Sequence, residues 1–118
     1  MNTTTKTQTK TIDVNCMEWF DKVNGNSYFA GTVTINYGME DEARFYMPFQ
    51  YGYGTQYEQE ANKELQERGY IVAPEKYWPL SRTARELGII YRHSLTKDCK
   101  KRDLLAINKL IEAKAKSK

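Results

Sequence analysis

One histidine, two cysteines and a run of three acids are the residues of this chain best equipped by type for chemistry. His93 is the only histidine, the side-chain type most often used as a general base or metal ligand. It stands in an alternating, strand-like run, with no carboxylate or hydroxyl at a recognised catalytic spacing. Glu40, Asp41 and Glu42 lie between two strand-like runs. Acids there read as a solvated turn, and a metal ion would need ligands from elsewhere. Cys16 and Cys99 form neither a zinc spacing nor a dense disulfide framework. The residues leave open one long-range disulfide or two free thiols in a reducing cytoplasm. Gly52-Tyr53-Gly54 precedes a helix-like segment, but it lacks the Lys-Ser/Thr of a phosphate loop and the dinucleotide fingerprint. The sequence predicts no catalytic residue, no metal site and no cofactor.

Two features point to binding instead. In Phe49-Gln50-Tyr51-Gly52-Tyr53-Gly54-Thr55-Gln56-Tyr57, three tyrosines alternate with two glycines at a strand-to-helix turn. Phenol rings offer stacking faces, and free amides at a helix start favour an anion. Tyr51 and Tyr53 are the binding candidates, and Tyr57 is the one suited to the core. The plainer reading is a rigid turn whose rings cover the end of a sheet. The second feature is basic: Lys97, Lys100, Lys101 and Arg102 surround the start of the last helix. Arg102, Lys109 and Lys116 recur every seven residues, on the helix face away from Leu104 and Ile111. Such a line can track phosphates, with salt-sensitive affinity. The plainer reading is a solvated helix face.

The elements that must position these residues follow from periodicity. Residues 11–20 alternate as a strand, with Ile12, Val14 and Cys16 on one side. Met17 and Trp19 then change sides, which predicts a bulge between Cys16 and Met17. Asn24-Gly25 marks a hairpin. In residues 28–37, Phe29, Gly31, Val33, Ile35 and Tyr37 share a face. In residues 43–49, Ala43, Phe45, Met47 and Phe49 do the same. Thr55 and Glu58 have capping-box spacing before a helix with the stripe Tyr57, Ala61 and Leu65 and with Glu58, Glu60, Lys63, Glu64 and Glu67 mostly solvent-side. Residues 70–80 are irregular because of Pro74 and Pro79. A short helix over 81–87, a last strand over 89–95, and a helix to about residue 113, capped by Thr96 or Asp98, complete the chain. A helix-turn-helix over 80–105 fits poorly, since Ser94 and Lys97 fall where apolar residues belong.

With 118 residues, 40% hydrophobic and 28% charged, one domain is expected, and no apolar run reaches the ~18 residues of a membrane span. Residues 1–10 read as a disordered tail, 11–113 as the domain and 114–118 as a frayed basic end. The net charge of +3 conceals an asymmetry: six basic and ten acidic residues in 1–70, against twelve and five in 71–118.

Trp19-Phe20-Asp21-Lys22-Val23-Asn24-Gly25-Asn26-Ser27-Tyr28 and Pro48-Phe49-Gln50-Tyr51-Gly52-Tyr53-Gly54 resemble segments of small uncharacterised proteins of tailed phages and prophages. The resemblance covers residues 11–70 and leaves the basic end unmatched. It implies a mobile-element origin, action in a host cytoplasm, and binding either to nucleic acid or to a host defence protein.

The expected fold is α+β: a three- to four-stranded antiparallel meander with helices on one face. The expected function is non-enzymatic nucleic-acid binding through Tyr51, Tyr53, Lys97, Lys100, Lys101, Arg102 and Lys109. The alternative is an anti-CRISPR-like inhibitor that binds a host protein through an acidic, tyrosine-bearing surface. An exposed edge strand would permit a dimer, though nothing in the sequence requires one.

Overall fold

The computed structural model describes residues 9–72 and 78–116. Its elements are β1 (Thr11–Asp21), β2 (Asn26–Ile35), β3 (Ala43–Tyr51), α1 (Gln56–Glu67), α2 (Leu80–Leu87), β4 (Ile90–Thr96) and α3 (Lys101–Lys116). The fold is α+β, but the sheet is mixed. Its order is β3-β2-β1-β4, with β1–β2 and β2–β3 antiparallel and β4 parallel to β1 at the edge. The antiparallel expectation fails at β4 because two helices precede it. A connection of that length can cross the sheet and return in the direction of β1, which a tight turn cannot do.

Helices cover both faces, not one. On the first face Val14, Cys16, Val33 and Met47 pack with Tyr57, Ala61 and Leu65 of α1 and Leu80 of α2. On the second, Leu104 and Ile107 of α3 pack on Ala30, with Met17, Trp19 and Tyr28 beside them. This corrects the reading of β1. Its pairing with β2 runs unbroken from Ile12↔Ile35 to Asp21↔Asn26, so no bulge separates Cys16 from Met17. Successive strand residues face opposite sides, and here each side has its own helical cover.

The irregularity lies in β3. Phe29 pairs with Gln50 but Gly31 with Met47, so β3 carries one extra residue beside Pro48. Strict alternation would put Phe49 with Phe45 and Met47. The bulge turns it to the α3 face, where its ring stacks on Tyr28 at 5.0 Å and its N–H donates to Asn108 Oδ1 at 2.9 Å. Tyr37 also leaves its expected face. Asn36, at φ 54°, reverses the alternation; its buried Oδ1 accepts from the N–H groups of Lys10 (2.7 Å) and Thr11 (3.2 Å), and Tyr37 is exposed.

The ends differ from expectation as well. Thr9 Oγ1 donates to the Tyr70 carbonyl at 2.8 Å, so Thr9 and Lys10 are anchored to the domain. At the other end α3 runs to Lys116, and Lys114 Nζ donates to the Arg44 carbonyl at 2.8 Å. The rest of the expected tails, residues 1–8 and 117–118, and residues 73–77 of the irregular segment lie outside the described residues.

Cys16 and Cys99 are both free thiols on opposite faces of the sheet. Burial pushes the Cys16 thiol from 9.0 up to about 12. Below pH 9 folded and unfolded chains both keep this proton, and stability is unaffected. Above pH 9 the unfolded chain releases it while the folded chain retains it. Stability should therefore fall by up to about 1.4 kcal/mol per pH unit until the folded thiol ionises. Urea melts from pH 8 to 10.5 should show this fall, with a shallower slope for Cys16→Ala. At pH 8 a thiol reagent should modify Cys99 in the native protein and both cysteines in urea.

Candidate nucleic-acid interface

At the end of the sheet carrying the β1–β2 hairpin, four aromatic side chains from three strands form a continuous row on the α3 face. The register sets Trp19 opposite Tyr28, and Tyr28 opposite Tyr51. Trp19 stacks on Tyr28 at 5.4 Å between ring centroids, and Tyr51 meets Tyr28 edge-on at 5.9 Å. Phe49, delivered by the bulge, packs on both Tyr28 and Trp19. Such pairs contribute about 0.5–1.5 kcal/mol each beyond the burial of their area. Tyr51 is its open end, 55% exposed.

The basic segment reaches the other end of this row. The Cys99 N–H donates to the Glu18 carbonyl at 3.0 Å, which docks the β4–α3 connection against β1. Lys101 Nζ then lies 5.8 Å from the Trp19 ring centroid, within reach of a cation–π attraction. Asp21 is held below its usual carboxylate range, chiefly by the Asn24 side chain, with Lys101 contributing. Lys100 lines an open hollow of about 410 Å³ with Trp19, Phe20, Asp21, Lys22 and Cys99. The cap of α3 is neither Thr96 nor Asp98. Asp103 reaches back, its Oδ2 accepting from the Lys100 N–H at 2.8 Å. A carboxylate in the first turn offsets the repulsion between the helix dipole and these cations.

The candidate residues therefore divide. Tyr51, Lys100 and Lys101 belong to one end of one face. Lys97 is exposed in the connection, while Arg102 and Lys109 are exposed on α3, whose Leu104 and Ile107 are buried. Tyr53 does not join them. It is 67% exposed at the head of α1, beside Gly54, Thr55, Gln56 and Gln59. Gly52 has a packing role, since a Cβ there would lie 2.7 Å from the Phe29 ring. Trp19 and Tyr28 escaped the sequence reading. The sequence signal misleads here: a two-residue turn at Asn24-Gly25 would set Trp19 opposite Ala30, and only the four-residue loop over 22–25 makes Trp19 and Tyr28 cross-strand partners.

A second polar cluster also escaped it. Glu58 is buried rather than solvent-side, and Thr55 makes no side-chain cap, so the capping box does not form. Glu58 Oε1 instead accepts from the Ser81 N–H (3.3 Å) and the Tyr91 hydroxyl (3.1 Å). Tyr91 stacks on His93 at 4.7 Å, and the Tyr57 hydroxyl lies 2.7 Å from His93 Nδ1. His93 thus has the hydroxyl partner its local sequence lacks. Burial, followed by the nearby Glu58, raises both phenols, Tyr57 to about 12. Both are neutral hydrogen-bonding groups at ordinary pH, and the cluster ties α1, α2 and β4 together. The signal was that Glu58 and Asn62 lie at i, i+4 beside the stripe Tyr57, Ala61 and Leu65, which widens the buried face of α1.

Among the described residues no group of three His, Cys, Asp or Glu is placed to hold a metal ion, and no helix is long and apolar enough to cross a membrane. Glu58→Ala should lower stability by about 1–3 kcal/mol by leaving the part-buried Ser81 N–H and the Tyr91 phenol unpaired. Glu58→Gln, which keeps a carbonyl acceptor, should cost less; urea melts of the two variants make the comparison. Scans against family models, curated proteins and solved structures find no match to this chain.

Proposed function

We propose that this protein binds single-stranded nucleic acid, without catalysis, through the open end of the aromatic row and the cations around the start of α3. The observation that carries the reading is the convergence of Tyr51, Tyr28 and Trp19 with Lys100 and Lys101 at one end of one face. Rings stack on bases of any sequence, and cations neutralise the phosphates beside them. Tyr51 supplies the exposed ring. Lys97, Lys100, Lys101 and Arg102 supply charge, and Lys109 extends it along α3.

Fluorescence anisotropy with labelled oligonucleotides tests this reading. Wild type should bind single strands, with affinity falling by about 0.7 log units per log unit of salt for each phosphate neutralised. Tyr51→Ala should cost about 1–3 kcal/mol. Lys101→Glu should weaken binding and flatten its salt dependence, while Tyr53→Ala should have little effect. Absence of binding at low salt would sink the reading. It would favour the alternative, an anti-CRISPR-like inhibitor that binds a host protein through an acidic, tyrosine-bearing surface.

A further inference from the structure

The two edges of the sheet are finished differently. At β3, Pro48 has no N–H to offer and the bulge beside it breaks the ladder. α3 engages two further backbone groups of that strand. Asn108 accepts from the Phe49 N–H at 2.9 Å, and Lys114 donates to the Arg44 carbonyl at 2.8 Å.

β4 has none of these devices. It contains neither Pro nor Gly, and its pairing with β1 runs unbroken from Thr11↔Ile90 to Met17↔Thr96. The Ile90 N–H donates to the Lys10 carbonyl at 3.1 Å, so alternation turns the backbone groups of Ile90, Arg92, Ser94 and Thr96 toward β1. Those of Tyr91, His93 and Leu95 point outward. Among the described residues nothing pairs with these three N–H and three C=O groups. The strand's one charge, Arg92, is held by Asp13 at 2.6 and 3.0 Å, so no free charge guards the edge.

We infer that this edge pairs with a second copy of the chain, β4 lying antiparallel to its counterpart with His93 opposite His93 of the second copy. The inference does not depend on the function proposed above. What selects a second copy is the symmetry of the strand. A two-fold pairing uses the whole strand only when centred on its middle residue. It then satisfies every outward group only if that residue faces outward itself. His93 meets both conditions, being the fourth of seven residues. Half-buried Tyr91 then lies opposite half-buried Leu95 of the second copy on one face. On the other face Arg92 meets Ser94, and Ile90, 61% exposed, meets Thr96. No like charges oppose each other, whereas a register centred on Arg92 would set two guanidinium groups face to face. The axis runs perpendicular to the sheet, so both α3 helices lie on the same face of a continuous sheet of twice four strands. Seven residues a side fall short of the ~20–30 of a standard interface, which makes the dimer weak, with a Kd of roughly 10–100 μM.

The test is sedimentation of the full chain from about 1 to 300 μM, a range that spans this Kd. The wild-type mass should rise from one chain toward two. His93→Pro removes an outward N–H and leaves the β1 ladder intact, so it should abolish the rise, with thermal melts confirming the fold. His93→Glu and His93→Lys should each weaken the dimer severalfold by setting like charges opposite, and an equimolar mixture of the two should restore it. Both variants lose the Tyr57–His93 contact, so the recovery on mixing reports the pairing alone. A wild type that stays monomeric to about 300 μM would overturn the inference and leave the edge to a strand of a different protein. A dimer that survives in folded His93→Pro, or a mixture that associates no better than its components, would overturn it as well.

Discussion

Everything in this fold depends on β1 having to be covered from both sides. Ile12, Val14 and Cys16 face one way, toward α1 and α2; Met17 and Trp19 face the other, toward α3. A central strand with apolar residues on alternate faces at its two ends cannot be satisfied by helices on a single side. The first half requires the α1–α2 layer, and inserting that layer carries the chain across the sheet to lay β4 parallel to β1. The second half requires α3, which β4 then delivers to the hairpin end. Because only the end of β1 is apolar on the second face, α3 starts there and crosses to β3 without covering the rest of β1. The strip along Asp13, Asn15 and Thr32 is left polar and open.

Much of this is legible in the residues and some is not. Three strands, the hairpin at Asn24-Gly25, the helix stripe of Tyr57, Ala61 and Leu65, and the α+β class follow from local periodicity, because each depends on which neighbours share a face. The parallel placement of β4 does not, because direction is decided by long-range packing. The change of side in β1 was visible, yet it has two physical causes, an extra residue or a second cover, and single-strand periodicity cannot separate them. Phe49 shows the reverse failure. Its strand alternates well enough to hide the bulge, whose cause is Pro48, a residue that cannot donate to a ladder.

The candidate site was legible as two separate features, and what joins them is tertiary. Tyr51 and Lys101 are fifty residues apart in sequence; Tyr28 and Trp19 connect them by register and stacking. Tyr53, only two residues from Tyr51, is carried to the head of α1 by the turn at Gly52. Proximity along the chain misled at the turn where the chain leaves the sheet. Glu58 and His93 are hidden for a similar reason. Each looks solvated or isolated on its own element, and each acquires its partners from another, Tyr91 and Tyr57.

The bulge finally explains why the row and the basic segment coincide. By turning Phe49 onto Tyr28 it frees the Phe49 N–H from the ladder, and Asn108 of α3 accepts it. The same helix satisfies the Arg44 carbonyl through Lys114. α3 is thereby fixed along β3 at two points, and its start is fixed against β1 by the Cys99–Glu18 bond. These three attachments leave the helix little freedom to shift, so Lys100 and Lys101 are held beside Trp19 by backbone geometry. Trp19, Tyr28 and Phe49 serve core and site together. Tyr51, exposed at the end of the row, is the ring whose removal tests the proposed binding while leaving the core rings in place.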